Sequence, residues 1–295
     1  MIYKLENEQL RITAATYGGE LHSITGKQDG TEYLWDGNPA GWKYHAPVLF
    51  PIVGKVVDGA YRIDGKTYCL PQHGLARTRE FALAEQTGNS LCFRLTDSEE
   101  TLAVYPYRFI LENRYTLSGD TVTVSYTVTN RDDKPIYFCL GSHPAFFCPL
   151  TPDEELTDSG FVFEKEETAS VLPLNENGCL RRERVPYLNG EREIWLNGET
   201  FAKDALIFER LASKTVSLAS RRRKDALTVD FHEFPFLGLW APANGARFVC
   251  IEPWEGHADY EDFTGDFREK EDVLCLPVGE SLTRSFTIRI HEKDN

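Results

Sequence analysis

Between Thr121 and Thr129 the chain reads Thr-Val-Thr-Val-Ser-Tyr-Thr-Val-Thr, with an apolar residue at every even position and a hydroxyl at every odd one. Side chains along a strand alternate faces with a period of two, so a β-strand is the conformation that gathers those apolar residues on one side. A helix would spread them around its circumference. Just upstream, Tyr107, Phe109, Leu111, Tyr115 and Leu117 alternate with Arg108, Glu112, Arg114 and Thr116, and Ser118-Gly119-Asp120 supplies the turn. The two runs read as a long antiparallel hairpin. A second hairpin is expected from 60–63 and 66–70, because Asp64-Gly65 between them tolerates the positive φ angles of a type I′ turn. Further short strands are expected at 81–85, 91–96, 136–140, 215–219, 227–231, 247–252 and 285–290.

Helical signals are few. Asp97, with Glu100 three residues on, reads as a capped start that Pro106 stops within about two turns. Strands joined by turn residues, without amphipathic helices between them, argue for an all-β antiparallel sandwich or barrel and against β-α-β units. Neither G-x-G-x-x-G nor G-x-x-x-x-G-K-[ST] occurs, which also removes the dinucleotide and P-loop readings. No repeat or linker divides the 295 residues, so 1–295 is read as a single domain. The acidic stretches 151–155 and 164–167 and the basic run 221–224 read as solvated loop faces.

Charge narrows the partners. Thirty-two Lys+Arg against 46 Asp+Glu leave a net charge of −14, which repels phosphate backbones and anionic lipid surfaces. Neither a nucleic acid nor a membrane is expected as a partner. The N-terminus turns polar before a signal-peptide core forms, and no run of about 18 apolar residues follows, so a cytoplasmic location is expected. Of the seven cysteines, Cys69, Cys92, Cys139 and Cys250 sit among apolar neighbours and none forms a C-x-x-C pair. Buried reduced thiols are the simplest reading.

Chemistry is sought where polar residues interrupt apolar or glycine-rich surroundings. Three places qualify. His73 sits in Pro71-Gln72-His73-Gly74-Leu75-Ala76-Arg77, and by itself it reads more readily as structural than catalytic. His143 follows an apolar run and precedes Pro144, Phe146 and Phe147; Glu252 ends the strongly apolar Phe248-Val249-Cys250-Ile251. A carboxylate there is costly unless paired. Two histidines and a glutamate suit acid–base catalysis, or a His₂Glu zinc site. Spacing favours the first, since H-E-x-x-H and similar local ligand pairs are missing. Nucleophilic catalysis is weaker, because Ser142 lies outside any G-x-S-x-G.

At these residues the sequence resembles the aldose 1-epimerase (galactose mutarotase-like) family, and within it the LacX-like bacterial subgroup. The resemblance runs through Pro47-Val48-Leu49-Phe50-Pro51-Ile52-Val53-Gly54-Lys55, Gln72-His73-Gly74-Leu75-Ala76-Arg77, Ser142-His143-Pro144-Ala145-Phe146, Asp204-Ala205-Leu206-Ile207-Phe208, Leu237-Gly238-Leu239-Trp240 and Cys250-Ile251-Glu252-Pro253-Trp254. It implies a large antiparallel β-supersandwich that interconverts the α and β anomers of a free hexose, without cofactor or metal. It also implies that Glu252 is the general base at the anomeric hydroxyl and His143 the general acid at the ring oxygen. His73 would place the sugar, and Asp204 would bind its hydroxyls. Trp240, Trp254 and Phe146 would be pocket walls or ordinary core aromatics. Lys55 stands where the family commonly has arginine, a point charge in place of a planar fork, and His257 is given no catalytic role. Two alternatives stand beside this reading: a hexose-6-phosphate 1-epimerase using Lys55 and Arg77 at a phosphate, and a non-catalytic sugar-binding protein. The expected partner is a small-molecule sugar, and the expected state a monomer or homodimer.

Overall fold

The computed structural model describes residues 1–222 and 225–291. The strand over Thr121–Asn130 buries every second residue, as its alternation requires, and pairs with Phe109–Ser118 in the expected hairpin. Its other edge pairs with Ser281–Ile290, setting Val122 opposite Ile288 and Val124 opposite Phe286. On the outward face the odd-numbered hydroxyls meet partners across that edge: Ser125 with Ser285 at 2.9 Å, Thr127 with Thr283 at 2.9 Å and Thr129 with Ser281 at 2.7 Å. The polar half of the sequence pattern is thus a cross-strand hydroxyl ladder.

From this strand an antiparallel sheet extends in both directions, fifteen-stranded among the described residues. One direction runs through Phe109–Ser118 and Ser90–Thr96 to Ala82–Gln86. The other passes through Ser281–Ile290, Leu227–Asp230, Thr215–Ser220, Ser159–Val171, Leu206–Glu209, Phe236–Trp240, Phe248–Glu255 and Leu140–Ser142 to Val48–Leu49. A three-stranded sheet of Ile2–Glu6, Leu10–Ala15 and Leu21–Gly26 and two small two-stranded sheets complete the strands. One apolar cluster runs from Leu5 to Ile290. The fold is all-β and antiparallel, with a single short α-helix among the described residues, and no helix there is long and apolar enough to cross a membrane.

Several local expectations are corrected. The helix spans Glu99–Leu102 with Ser98 as its N-cap and Thr101 closing the capping box, one residue past the Asp97/Glu100 reading. Ser98 Oγ accepts the Thr101 N–H at 3.3 Å and Thr101 Oγ1 accepts the Ser98 N–H at 2.8 Å, a reciprocal pair that sets the N-cap at Ser98. The acidic stretch 164–167 lies within the strand Ser159–Val171. Glu167 is buried there, accepting the backbone N–H groups of Ala212 and Ser213. Glu154 is buried as well and accepts the Ser220 hydroxyl at 2.6 Å. Of the basic run, Arg221 and Arg222 are exposed; Arg223 and Lys224 lie outside the described residues. Cys92, Cys139 and Cys250 are buried free thiols, whereas Cys69 is exposed because it falls on a two-stranded hairpin with one face to solvent.

Candidate active site

The site forms near one end of the large sheet, where four neighbouring strands present short or flat side chains. Ile207, Gly238 and Glu252 stand in a row across three of them, since Ile207 pairs with Gly238 and Gly238 with Glu252. On the fourth, Gly141 lies opposite Trp254. A Cβ on Gly141 would meet the Trp254 ring at 2.8 Å, and a Cβ on Gly238 would meet it at the same distance. These two glycines let the indole lie flat over the sheet beside Glu252. His143 follows Leu140–Ser142 directly, its N–H donating to Pro47 O at 3.1 Å.

His73 comes from a different part of the chain. It adopts φ +64° and is followed by Gly74 at φ +75°, a left-handed pair that turns the loop sharply. Two hydrogen bonds fasten it: the His73 N–H donates to Gly54 O at 2.7 Å, and the Gly54 N–H donates to His73 Nδ1 at 3.1 Å. With Nδ1 accepting, the proton of the neutral ring is on Nε2, which leaves Nε2–H as a donor.

These elements enclose a cavity of about 420 Å³. Glu252, His143, His73, Asp204, Lys55, Arg77, Trp240 and Trp254 all line it. Phe146 does not: it is fully buried, bridged to Leu34 in the main core, because the residues of 145–147 alternate sides and its ring points into the core. His257 also lies outside the lining; it is buried between Phe236 and Tyr260, with Nδ1 donating to Ala258 O at 2.6 Å. Trp42, Gln72, Glu176, Ile207 and Gly178 are further lining residues. Trp42 stacks on the His143 ring at 4.7 Å. The one sequence hint of it is an aromatic run, Trp42-Lys43-Tyr44, in a segment without periodicity.

At the centre, His143 Nε2 lies 3.2 Å from Glu252 Oε2, and the His73 ring stands edge-on to His143 at 5.4 Å. Glu252 is 1% exposed and His143 7%. Burial drives the Glu252 carboxyl well above its ordinary range, reinforced by the Asp204 carboxylate and opposed by the Trp254 indole. Burial, with the Arg77 guanidinium adding to it, pushes His143 down to about 3. His73 is lowered by burial and by His143, Arg77 and Lys55. Burial thus disfavours charge on both groups, favouring a protonated Glu252 carboxyl and a neutral His143 imidazole. Arg77 lies over the Tyr44 ring and donates through Nη2 to Gln72 O at 2.8 Å. Arg77 Nε and His143 Nδ1 are buried and have no hydrogen-bonding partner among the described residues. Such atoms are rare in folded interiors and here converge on one space.

A His₂Glu zinc centre made of His73, His143 and Glu252 is not what the geometry gathers. His73 spends Nδ1 on Gly54, and the donors that converge with His143 and Glu252 include Cys250 instead.

Comparison with known proteins gives the family and the fold. The aldose 1-epimerase family profile matches residues 1–274. The chromosomal LacX protein of Lactococcus lactis subsp. lactis is 37% identical over 298 residues, covering 98% of this chain and 99% of that one. Among solved structures, a galactose mutarotase related enzyme from Lactobacillus acidophilus superposes with a TM-score of 0.95 at 33% identity, over 100% of this chain and 99% of the other. A galactose mutarotase-like protein from Lactobacillus casei gives 0.93 at 28% identity, over 99% and 100%.

Proposed function

The chain belongs to the aldose 1-epimerase family, and from that premise we propose that it interconverts the α and β anomers of a free aldose by opening and closing the pyranose ring. The observation that supports this most is the pairing of His143 and Glu252 at 3.2 Å inside a buried cavity. The two oxygens between which a mutarotase must move a proton, O1 and the ring oxygen, are both bonded to C1. An acid and a base serving them must therefore stand side by side.

In the proposed cycle the dyad proton sits on His143 and Glu252 is ionised. Glu252 removes the O1 proton, C1=O1 forms, the bond from C1 to the ring oxygen breaks, and that oxygen takes the proton from His143. Glu252 is then protonated and His143 neutral, the distribution that the burial of each group favours. After rotation about C1–C2 the same groups run the steps in reverse, and the ring closes on the other carbonyl face. Positioned proton transfer of this kind contributes roughly 10²- to 10⁴-fold per group. His73 Nε2–H and the Arg77 guanidinium supply donors to sugar oxygens, Asp204 supplies an acceptor, and Trp42 and Trp240 offer flat faces to the sugar C–H patch.

Three lining carboxylates, Glu176, Asp204 and Glu252, against Lys55 and Arg77 support a neutral sugar. One observation favours a second reading: Lys55 and Arg77 both line the cavity and both act on His73, so two cations lie within electrostatic reach of one ring, as a sugar 6-phosphate would need. Anomeric-exchange NMR over a panel of free and 6-phosphorylated aldoses decides between the two. Acceleration of free aldoses supports the first reading, a preference for phosphorylated ones supports the second, and acceleration of neither rejects the epimerase.

A further inference from the structure

Residues 42–47 make two contacts to His143: the Trp42 ring stacks on the imidazole at 4.7 Å, and Pro47 O accepts the His143 N–H at 3.1 Å. The same segment places the Tyr44 ring under the Arg77 guanidinium, and His45 O accepts the Ala145 N–H at 2.8 Å. No strand or helix runs through it, so its own backbone N–H groups need other partners. Those of His45 and Ala46 donate at 2.7 and 2.9 Å to Oε1 of Glu20, which is 4% exposed. A carboxylate acceptor makes such bonds stronger than ordinary backbone pairs. Glu20 is itself fixed to the core. It exchanges backbone hydrogen bonds with Ala15 at 2.8 and 3.1 Å, and Gly19 O accepts the Tyr115 hydroxyl and the Asn113 amide from the large sheet. Gly19 has φ +55°, and a Cβ there would meet Phe81 and the Asn113 amide at 2.9 Å, so this turn sits hard against the sheet. His22 Nε2 stands 3.5 Å from Oε2, and its ring stacks on His45 at 3.9 Å, closing the other side of the carboxylate.

We propose that Glu20 is a positioning residue for His143: its carboxylate sets the course of residues 42–47, and through them the Trp42 ring and the Pro47 carbonyl hold the imidazole beside Glu252. Glu20 is not part of the cavity lining, so its effect passes through the segment. Trp42 is tied at the near end by its N–H to Asn38 O and its O to Trp35 Nε1, both inside the same stretch of chain. The Glu20 bonds fasten the segment between its two contacts to His143 and join it to a different part of the core. Reach, more than charge, is what the geometry uses. Glutamine offers an acceptor oxygen at the same distance from the backbone, whereas aspartate, one methylene shorter, draws the acceptor away from both N–H groups. The bearing of Glu20 on turnover rests on the reading of His143 as the proton donor of an epimerase; its bearing on the geometry does not.

The test compares Glu20→Gln, Glu20→Asp and Glu20→Ala in the full-length protein by two readouts. In proton–carbon NMR the His143 ring signals, assigned by their loss in His143→Ala, are expected upfield under the Trp42 ring current, and Trp42→Ala should move them downfield. Glu20→Asp and Glu20→Ala should move them the same way, and Glu20→Gln should leave them near their wild-type positions. In anomeric exchange, Glu20→Asp and Glu20→Ala should lower kcat at least about 10-fold with a smaller change in KM, since a misplacement of about 1 Å costs a reacting group about 10²-fold, and Glu20→Gln should restore it. Far-UV circular dichroism confirms that each variant is folded; should Glu20→Ala fail to fold, the contrast between Asp and Gln decides by itself. His143 signals that stay in place in the folded Asp and Ala variants overturn the proposal. So does a Gln variant displaced as far as they are, or an active wild type whose kcat the Asp and Ala changes leave intact. A wild type that accelerates no aldose rejects the epimerase reading, and the NMR comparison then decides the positioning without it.

Discussion

A carboxyl group as buried as Glu252 destabilises the fold wherever the unfolded chain would ionise it. The sign follows from its raised pKa: the folded protein holds the proton more tightly, so Glu252 favours the fold below about pH 4.5 and increasingly disfavours it as pH rises from there toward the folded-state value. Glu252→Gln should therefore raise the melting temperature at pH 8 by about 2–4 °C, the equivalent of about 1 kcal/mol. It should lower anomer interconversion at least about 100-fold. A folded Glu252→Gln protein with near-normal turnover would sink the mechanism. His143→Ala is expected to lose activity to a similar degree. The pH profile of kcat/KM offers a separate check. Activity requires one proton on the dyad; a second would have to enter His143, which is pushed down to about 3, and loss of the only one is opposed by the raised Glu252. A plateau is expected from about pH 4.5 to 6.5, and an inflection near the ordinary imidazole value would show that His143 titrates as a solvated group. Glu252 and His143 were legible in the sequence because a polar residue after an apolar run has few structural reasons to exist. Phe146 was misplaced because an aromatic residue near a candidate site histidine reads the same whether it faces the cavity or the core.

Among the elements, those with strict alternation were found within a residue or two of their bounds, such as Phe109–Ser118 and Thr121–Asn130. The long hairpin of Ser159–Val171 and Val185–Trp195 was missed. Its register shifts repeatedly and its residues face different surroundings along its length, so no single period runs through it. The loops that carry His73 and Trp42 have no period at all; contacts such as the paired bonds between His73 and Gly54 set their shapes. Gly74→Ala tests how rigidly one such loop is held. Gly74 has φ +75°, and a Cβ there would collide with the Phe50 carbonyl. The variant is expected to lose about 1–3 kcal/mol in urea denaturation, together with activity as His73 moves. Unchanged stability would mean that the loop has room to relax.

Across the whole molecule, segments that wall the cavity are joined by a buried ion pair whose two residues lie outside the lining. Asp259 and Lys270 meet at 2.7 Å, each side chain 3% exposed. Asp259 Oδ2 also accepts the Val57 N–H, the Asp259 N–H donates to Lys55 O, and the Leu180 N–H donates to Asp259 O. This one residue joins the Lys55 segment, the Leu180 segment and the chain just beyond Glu252. Lys270→Met leaves its charge buried and unpaired, and a loss of about 3–5 kcal/mol is expected in urea denaturation. Calorimetry of the wild type should show a single cooperative transition if residues 1–295 form the one domain the sequence suggests; two resolved transitions would divide the chain. The sequence by itself determined the class of the fold and named eight of the seventeen lining residues as site residues. Period-two alternation and turn chemistry act between near neighbours, and a buried carboxylate or a histidine beside glycine is conspicuous wherever it stands. Only the tertiary structure decided that residues 73, 143 and 252 meet, that Trp42 covers them and that Phe146 turns away. Those outcomes depend on strand order and loop closure across about two hundred residues, interactions that leave no local pattern in the chain.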